Sequence, residues 1–358
     1  FAGTALTDAD HNVAIGRAAL ASDTLGSKSV AIGREALITQ NFETATDVYN
    51  IAIGHNAGLS VTTGIKNTLI GGLAGDALSV GNSNTVVGQN ALTLDTKGDL
   101  NTAIGIGALQ SQNFTTSTDS SNTAVGQFAG GNVTTGTHNT LIGGLVANQL
   151  TTGTYNVAVG QAAGAAITEG LRNICVGERS GVNITTGDDN IMIGQNNTAS
   201  AVGANNNIVM GFAVAGVGAN NFTFGNGTSD SNIAFGATSI SAPSDVRLKE
   251  DIQDETVGLG FVNDLRPVTF QWKKEKDIPE EMKAHVAGSE KRTMNGKHNH
   301  GFIAQEVKAV IDNHNIKDGF DMWTEDETDG RQRLGDASLM PIMAVSYTHL
   351  TLPTIYSV

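Results

Sequence analysis

A five-residue phrase, made of a polar residue, three mostly apolar residues and a glycine, recurs fourteen times between Asn12 and Gly236. Position one is Asn in every copy except Ser29, and position four is always Ile, Val, Met or Phe. The closing glycines are Gly16, Gly33, Gly54, Gly71, Gly88, Gly105, Gly126, Gly143, Gly160, Gly177, Gly194, Gly211, Gly225 and Gly236. Nine of the thirteen intervals are 17 residues, two are 21, and the last two are 14 and 11. This fixed period predicts a β-solenoid in which each repeat forms one coil and stacked coils bury the core.

Each phrase predicts a short strand. Position four, for example Ile104, is expected to point into a dry core, with position two on the same face. Position three, on the opposite face, is also mostly apolar, and strands that are apolar on both faces are buried on both. A thin solenoid buries only one face itself, so we expect the position-three face to pack on other chains. Three chains around an axis is the simplest closed arrangement, which favours a homotrimer.

A longer repetition sets the register of the coils. Residues 33–104 align without a gap on residues 105–176, which indicates tandem duplication of a four-coil unit. The four-residue insertions at about 37–48 and 109–120 are therefore expected to project from the same side, as surface loops that tolerate change.

The asparagines of position one have two interpretations. Stacked asparagines at a turn can hydrogen-bond along the solenoid and accept left-handed backbone geometry. Alternatively, a regular Asn/Thr face could bind glycan or ice. The single cysteine, Cys175, occupies position three and is expected to be a small core side chain, not a nucleophile or a ligand.

Charge divides the chain into two parts. Up to Pro243, 22 of 243 residues are charged, whereas from Ser244 onward 34 of 115 are. The net charge of −14 argues against nucleic acid or an anionic membrane as a partner. No stretch approaches the roughly 18 apolar residues that a membrane span needs. The expected domains are a shaft of period 17 over 1–236, a linker over 237–243 and a C-terminal domain over 244–345.

The phrases resemble the head repeats of trimeric autotransporter adhesins and similar repeats of phage tail fibres. That resemblance implies a trimeric, left-handed parallel β-roll that serves attachment. The expected fold class is therefore mainly β, with a left-handed parallel β-roll or β-solenoid shaft followed by a small α+β domain.

Three motifs follow the repeats: Ser244 to Ile252 (Ser-Asp-Val-Arg-Leu-Lys-Glu-Asp-Ile), Leu265 to Lys273, and Gly301 to Val307. In this order, after a fibrous repeat, they resemble the intramolecular chaperone, or auto-processing peptidase, domain of endosialidase-type tailspikes and tail fibres. The resemblance covers about 244–345.

The resemblance implies that Ser244 is a nucleophile and Lys249 its base, with Asp245 and Arg247 supporting them and the cut between Pro243 and Ser244. A lysine can activate a serine hydroxyl where burial or a neighbouring cation lowers its pKa. The alternative is that Ser244 or Asp245 only caps a helix beginning near Val246.

The remaining features of the C-terminal part indicate no cofactor and no metal site. His298 and His300 lack a third ligand at suitable spacing, and the charged run 273–291 is typical of a solvated loop. Residues 304–311 predict an amphipathic helix, in which Gln305 and Glu306 are expected to be structural. Residues 346–358 depart from the family and resemble a translated sequencing adapter, so they are expected to be non-native, with the family's last trimerising helix missing.

The sequence thus favours a structural attachment protein, the shaft of a phage tail fibre in the virion. Its C-terminal domain would drive trimer folding and cleave itself off as a single-turnover Ser-Lys endopeptidase; the host receptor or glycan is unidentified. The alternatives are a bacterial trimeric adhesin head at the cell surface, or a chaperone domain without cleavage. A depolymerase would need paired carboxylates in a groove, and the acids before Pro243 are scattered.

Overall fold

The computed structural model describes residues 1–282, 284–316, 320–326 and 330–351. The chain divides into two compact units, Phe1–Ser244 and Asp245–Val358. The first is a parallel β-solenoid and the second is a small unit with three α-helices among its described residues. The mainly β fold class is therefore confirmed, while the predicted bounds of the linker and of the C-terminal domain stay predictions.

One fourteen-stranded sheet runs along the solenoid, within a unit whose residues are all described. Its strands are Val13–Ile15, Val30–Ile32, Ile51–Ile53, Thr68–Ile70, Thr85–Val87, Thr102–Ile104, Thr123–Val125, Thr140–Ile142, Val157–Val159, Ile174–Val176, Ile191–Ile193, Asn207–Phe212, Asn221–Asn226 and Ser229–Ala234. Each phrase pairs in parallel with the next, position for position, so that Ala103 lies between Val86 and Ala124. Only the last pair is antiparallel. The predicted stacking of one coil per repeat is confirmed.

The face of the sheet that packs into the core is the opposite of the predicted one. The position-three residues, such as Ala103, Leu141 and Cys175, are 0% exposed. The position-four residues Ile104 and Ile142 are 37% and 40% exposed. The predictions that positions two and four fill the core and that the position-three face packs on other chains are therefore both wrong. Inside the coil, position three is mostly a small residue because other places of the coil, such as Leu109, already put large side chains there, whereas the β-branched residues of positions two and four stand outside.

The core keeps its volume by compensation within each coil. In four coils, the fourth residue after the closing glycine is Leu and position three of the next phrase is Ala. Leu109 and Ala124 are one such pair. Where position three is Leu141, that place is Gly130, and a Cβ on Gly130 would lie 2.6 Å from the Leu141 Cδ1 atom. A large residue at one of these two places is therefore matched by a small residue at the other, because both side chains fill the same part of the core.

The asparagines form a buried ladder, which confirms the stacking interpretation. The backbone N–H and the Nδ2 group of Asn101 both donate to Oδ1 of Asn84, at 2.9 and 3.0 Å. Asn84 donates from Nδ2 to the carbonyl of Gly98 at 3.0 Å. Because these side chains are buried, they cannot take part in an exposed Asn/Thr binding face.

The two insertions are anchored in the core, so the prediction of tolerant loops is wrong for their flanks. Phe114 is 7% exposed, and its N–H donates to the buried Asp95 Oδ1 at 3.1 Å. The Nε2 group of the buried Gln112 donates to Asp95 Oδ2 at 2.7 Å. Asp23, Gln40 and Phe42 repeat this arrangement one unit earlier. Only the tips, 43–45 and 115–117, are exposed throughout.

Left-handed backbone recurs at fixed places in the coils. Gly105 closes its phrase with φ 132°, and a Cβ there would lie 2.3 Å from the carbonyl oxygen of Gly126 in the next coil. No other residue can close a coil at that distance. Non-glycine residues also adopt positive φ, among them Leu109 at 51° and Tyr155 at 59°. Cys175 is buried as predicted, and burial raises its pKa to about 12.

The second unit is small and less regular. Its helices are α1 (Leu259–Asp264), α2 (Ala304–Asn313) and α3 (Leu339–Thr351). Its strand pairs are Val268–Phe270 with Asn299–Gly301, and Trp323–Glu325 with Gln332–Leu334. Its core consists of Phe261, Leu265, Val307, Ile311, Met322 and Ile342, with partly buried neighbours.

The predicted helix 304–311 is confirmed by α2, and residues 346–351 of the predicted non-native tail belong to α3. Residues 352–358 of that tail lie outside the described residues. Within the described residues, no helix combines the length and the apolar character that crossing a bilayer requires.

Candidate functional site

The solenoid remains ordered up to the segment before the predicted cut. Ser241 and Asn232 exchange two backbone hydrogen bonds of 2.7 Å, and the Ser241 hydroxyl donates to the Asn232 carbonyl at 3.0 Å. Pro243 and Ser244, which follow, are exposed. The bond predicted to be cut therefore lies in an exposed stretch, two residues after Ser241.

Asp245 and Arg247 form a compact turn after the predicted cut. Asp245 caps the 3₁₀ turn Val246–Leu248, and its Oδ1 accepts from the Arg247 backbone N–H at 2.9 Å. The Arg247 guanidinium also binds the carboxylate, through Nε at 2.9 Å and Nη2 at 2.5 Å. These hydrogen bonds lower the pKa of Asp245 and raise that of Arg247. The capping residue of this turn is thus Asp245.

Ser244 and Lys249 flank this turn. Lys249 ends it, and its backbone N–H donates to the Val246 carbonyl at 3.1 Å. The side chains of Ser244 and Lys249 are exposed. The boundary between the two compact units falls between Ser244 and Asp245, one residue after the predicted cut.

The second and third motifs lie against each other. Val268–Phe270 pairs antiparallel with Asn299–Gly301. Arg266 and Glu306, 40 residues apart, form a two-pronged ion pair in which Nε donates to Oε2 at 3.0 Å and Nη2 donates to Oε1. The hydrogen bond to Arg266 lowers the pKa of Glu306. Glu306 is therefore placed structurally, as expected, and its partner is the feature that sequence reasoning missed.

A second polar contact joins the helices. The His314 Nε2 atom, just after α2, lies 2.8 Å from Oδ2 of Asp264 at the end of α1. The His314 ring also meets Phe261 edge to face, with 5.5 Å between ring centroids. Helix α1, which follows the first motif, and helix α2, which begins within the third motif, therefore share one core and this polar contact.

The described residues of the charged run 273–291 are exposed or half-buried and make defined contacts. Glu290 accepts from the ammonium groups of Lys274 and Lys276, and these hydrogen bonds lower its pKa to about 2. His300 lies in a strand opposite Thr269. Among the described residues, no three His, Cys, Asp or Glu side chains come together as metal ligands would.

Residues 244–316 match the family model described as chaperone of endosialidase. The matched stretch begins at Ser244 and contains all three motifs. A parallel β-solenoid followed by this domain fits a phage tailspike or tail fibre with a C-terminal chaperone domain. No curated protein and no solved structure matches the chain.

Proposed function

We propose that this chain is the shaft of a phage tail fibre, a homotrimer in the virion that attaches to a host receptor. Its C-terminal domain drives trimer folding and then cleaves itself off beside Ser244. The observation that carries this proposal is the combination of an outward apolar sheet face with a chaperone-of-endosialidase domain that follows it along the chain.

The trimer rests on positions two and four of the phrases. Within the fully described stretch 1–244, no charged residue occupies either position in any copy. Residues such as Ile53, Ile104, Ile142, Ile193 and Met210 stand 37–42% exposed on this face. At about 4.8 Å per strand, thirteen steps extend the face over roughly 60 Å. Position two is threonine in five coils, but position four is apolar in every copy. A continuous exposed apolar column of this length marks an interface in soluble proteins.

The proposed cleavage is an acyl transfer followed by hydrolysis. The Ser244 Oγ atom attacks the carbonyl carbon of Pro243 while the Lys249 amine takes the hydroxyl proton. The new C–O bond replaces the peptide C–N bond, and the proton passes to the departing Ser244 nitrogen. Water then hydrolyses the ester, which leaves a carboxylate on Pro243 and restores the hydroxyl of Ser244.

Trimer assembly would supply what the cleavage chemistry needs. A lysine acts as a base when burial or a nearby cation favours its neutral form. Lys249 is exposed in the single chain, so partner chains are the proposed source of burial. Asp245 and Arg247 hold the turn between nucleophile and base. Cleavage would then wait until three chains have assembled.

Gel electrophoresis with mass determination of the fragments tests the cleavage. The chain should carry a family-type C-terminal helix in place of 346–358. We expect a cut between Pro243 and Ser244, which Ser244→Ala and Lys249→Ala block or strongly slow. Lys249→Arg keeps the positive charge but cannot serve as a base, so it should also fail. Ser241→Ala is the matched control and should cleave normally.

The alternative outcome also has a defined meaning. A trimeric wild type that stays full-length would make the C-terminal unit a chaperone without peptidase activity. The shaft proposal would survive this result, because it rests on the apolar face. A bacterial adhesin head remains the alternative for the shaft; the matched family, which is found in phage tail proteins, favours the tail fibre.

A further inference from the structure

We propose that Leu100 of one chain packs on Ile106 of the next chain of the trimer, at the same coil level, so that the coils of neighbouring chains meet edge to edge and in register. This inference rests on the proposed trimer and specifies its contacts. The partner is a second copy of this chain. The contacting groups are two columns that border the outward apolar face.

The two columns are defined by the phrase. The leading edge is the residue immediately before position one, at eleven successive levels from His11 to Asp189. The trailing edge is the residue immediately after the closing glycine, at the same levels from Arg17 to Gln195. The first eleven strands of the outward face therefore each have one residue of the leading edge two places before the strand and one of the trailing edge two places after it.

One apolar pair stands out at the level of Thr102–Ile104. Leu100 is the only aliphatic residue of the leading edge, and Ile106 is the only one of the trailing edge, in a stretch that is fully described. They are 49% and 52% exposed. Both flank the same strand, whereas the other ten levels carry polar residues, aromatic residues or glycine. A contact between Leu100 of one chain and the same-level Ile106 of the next would bury both.

A charged pair occurs in the same way at the level of Ile174–Val176. Glu178 is the only acid of the trailing edge, and its level partner on the leading edge is Arg172. Within the chain, Arg172 binds Asp189 and Glu178 accepts from the Gln195 amide at 2.9 Å. The same-level contact would give Glu178 a cation. At the Val30–Ile32 level two cations meet, Lys28 and Arg34, and each is already bound to a carboxylate, Asp47 and Glu35 respectively.

Symmetry accounts for this coincidence of levels. In a cyclic trimer, each chain sets its leading edge against the trailing edge of the next. A pure rotation about an axis parallel to the stack moves nothing along that axis, so equal levels must meet. A tilted axis would shift the edges and place Leu100 opposite Gln89 or Gln127.

Cysteine pairs measure the register in the full chain. In a Cys175→Ala background, Leu100→Cys with Ile106→Cys should give covalent trimers on mild oxidation, visible on a non-reducing denaturing gel. Leu100→Cys with Gln89→Cys, or with Gln127→Cys, is the control for a shift of one coil and should stay largely uncross-linked. Either cysteine alone should give no trimer band.

Charge exchange provides a second, independent measurement. Arg172→Glu and Glu178→Arg should each lower the Tm of the trimer, and the double variant should recover part of the loss beyond additivity. Cross-linking of a shifted pair in preference to Leu100 and Ile106 overturns the inference. So does a trimer in which no pair cross-links and the charge effects simply add. In both cases the trimer itself stands. A parent that is monomeric by light scattering overturns both the inference and the proposed trimer.

Discussion

The shared space of Gly130 and Leu141 allows a quantitative test of the core. Leu141 is fully buried, so Leu141→Ala should destabilise the solenoid by about 3 to 5 kcal/mol through lost transfer energy and a cavity. Gly130→Ala places a Cβ 2.6 Å from Leu141 Cδ1 in backbone of φ 55°. Left-handed strain of about 1 kcal/mol and overpacking of about 1 to 3 kcal/mol should follow.

The double variant should cost less than the sum of the two single changes. It reproduces the Ala147 and Ala158 pair of the next coil, in which Ala147 already adopts φ 43°. We expect a favourable coupling of about 1 to 2 kcal/mol. Urea unfolding of the full chain, followed by circular dichroism at one protein concentration, measures all three variants.

Ile142→Ala is the matched control, because Ile142 is the next residue but lies on the outward face. It should weaken trimer association on dilution and leave the packing inside the coil nearly unchanged. Strictly additive costs would refute the contact between positions 130 and 141. A cost below about 1 kcal/mol for Leu141→Ala would refute the assignment of position three to the core.

Three further predictions concern polar groups. Asp95→Ala should cost about 3 kcal/mol or more in urea unfolding, because it leaves two buried N–H donors without an acceptor, Phe114 of the inserted loop and Gly98. Thr116→Ala at the loop tip should be nearly silent. Lys276→Met should raise the pKa of Glu290 from about 2 towards its ordinary 4.5, as carboxyl NMR titration can detect. Since the folded pKa is depressed, the stabilisation by this ion pair is complete above about pH 4.5 and is lost as the pH falls towards 2. Glu306→Gln should lower the Tm of the C-terminal unit slightly, and less so at high salt, because the ion pair is exposed; a loss that is independent of salt would contradict this.

The period and the pairing of strands could be predicted from the sequence because the closing glycines leave no alternative register. The face of each strand that points into the core could not be predicted in this way. Positions two, three and four are all mostly apolar, and the larger residues at two and four suggested the core. What decides the matter is the small interior, where Leu109 beside Ala124, or Gly130 beside Leu141, fills the available volume. This matching of large with small residues can be recognised only once the fourth residue after each closing glycine is known to point inward.

The insertions illustrate a different limit. Their four extra residues indicated a surface excursion, which holds for the exposed tips. Their flanks are fixed by Asp95 and Gln112, polar residues at a place where other coils carry Val133 or Leu150. A carboxylate in an apolar column is a readable signal, but its partners lie in the following coil. Likewise, the three motifs predicted the C-terminal domain, whereas the contact of Arg266 with Glu306 needed the strand pairing that brings the motifs together.

The non-glycine residues that hold left-handed backbone in the coils affect the kinetic stability of the shaft. Residues such as Leu109 and Tyr155 hold a backbone conformation that costs roughly 1 to 2 kcal/mol each until neighbouring coils compensate for it. A single coil is therefore unfavourable by itself, and growth is easiest on coils that have already formed. If the C-terminal domain starts the folding of the shaft and is cleaved off after assembly, a shaft that later melts no longer has the domain that nucleates its refolding. Its durability would then be set by a slow unfolding rate, so that melting is a one-way event and measured Tm values depend on the heating rate.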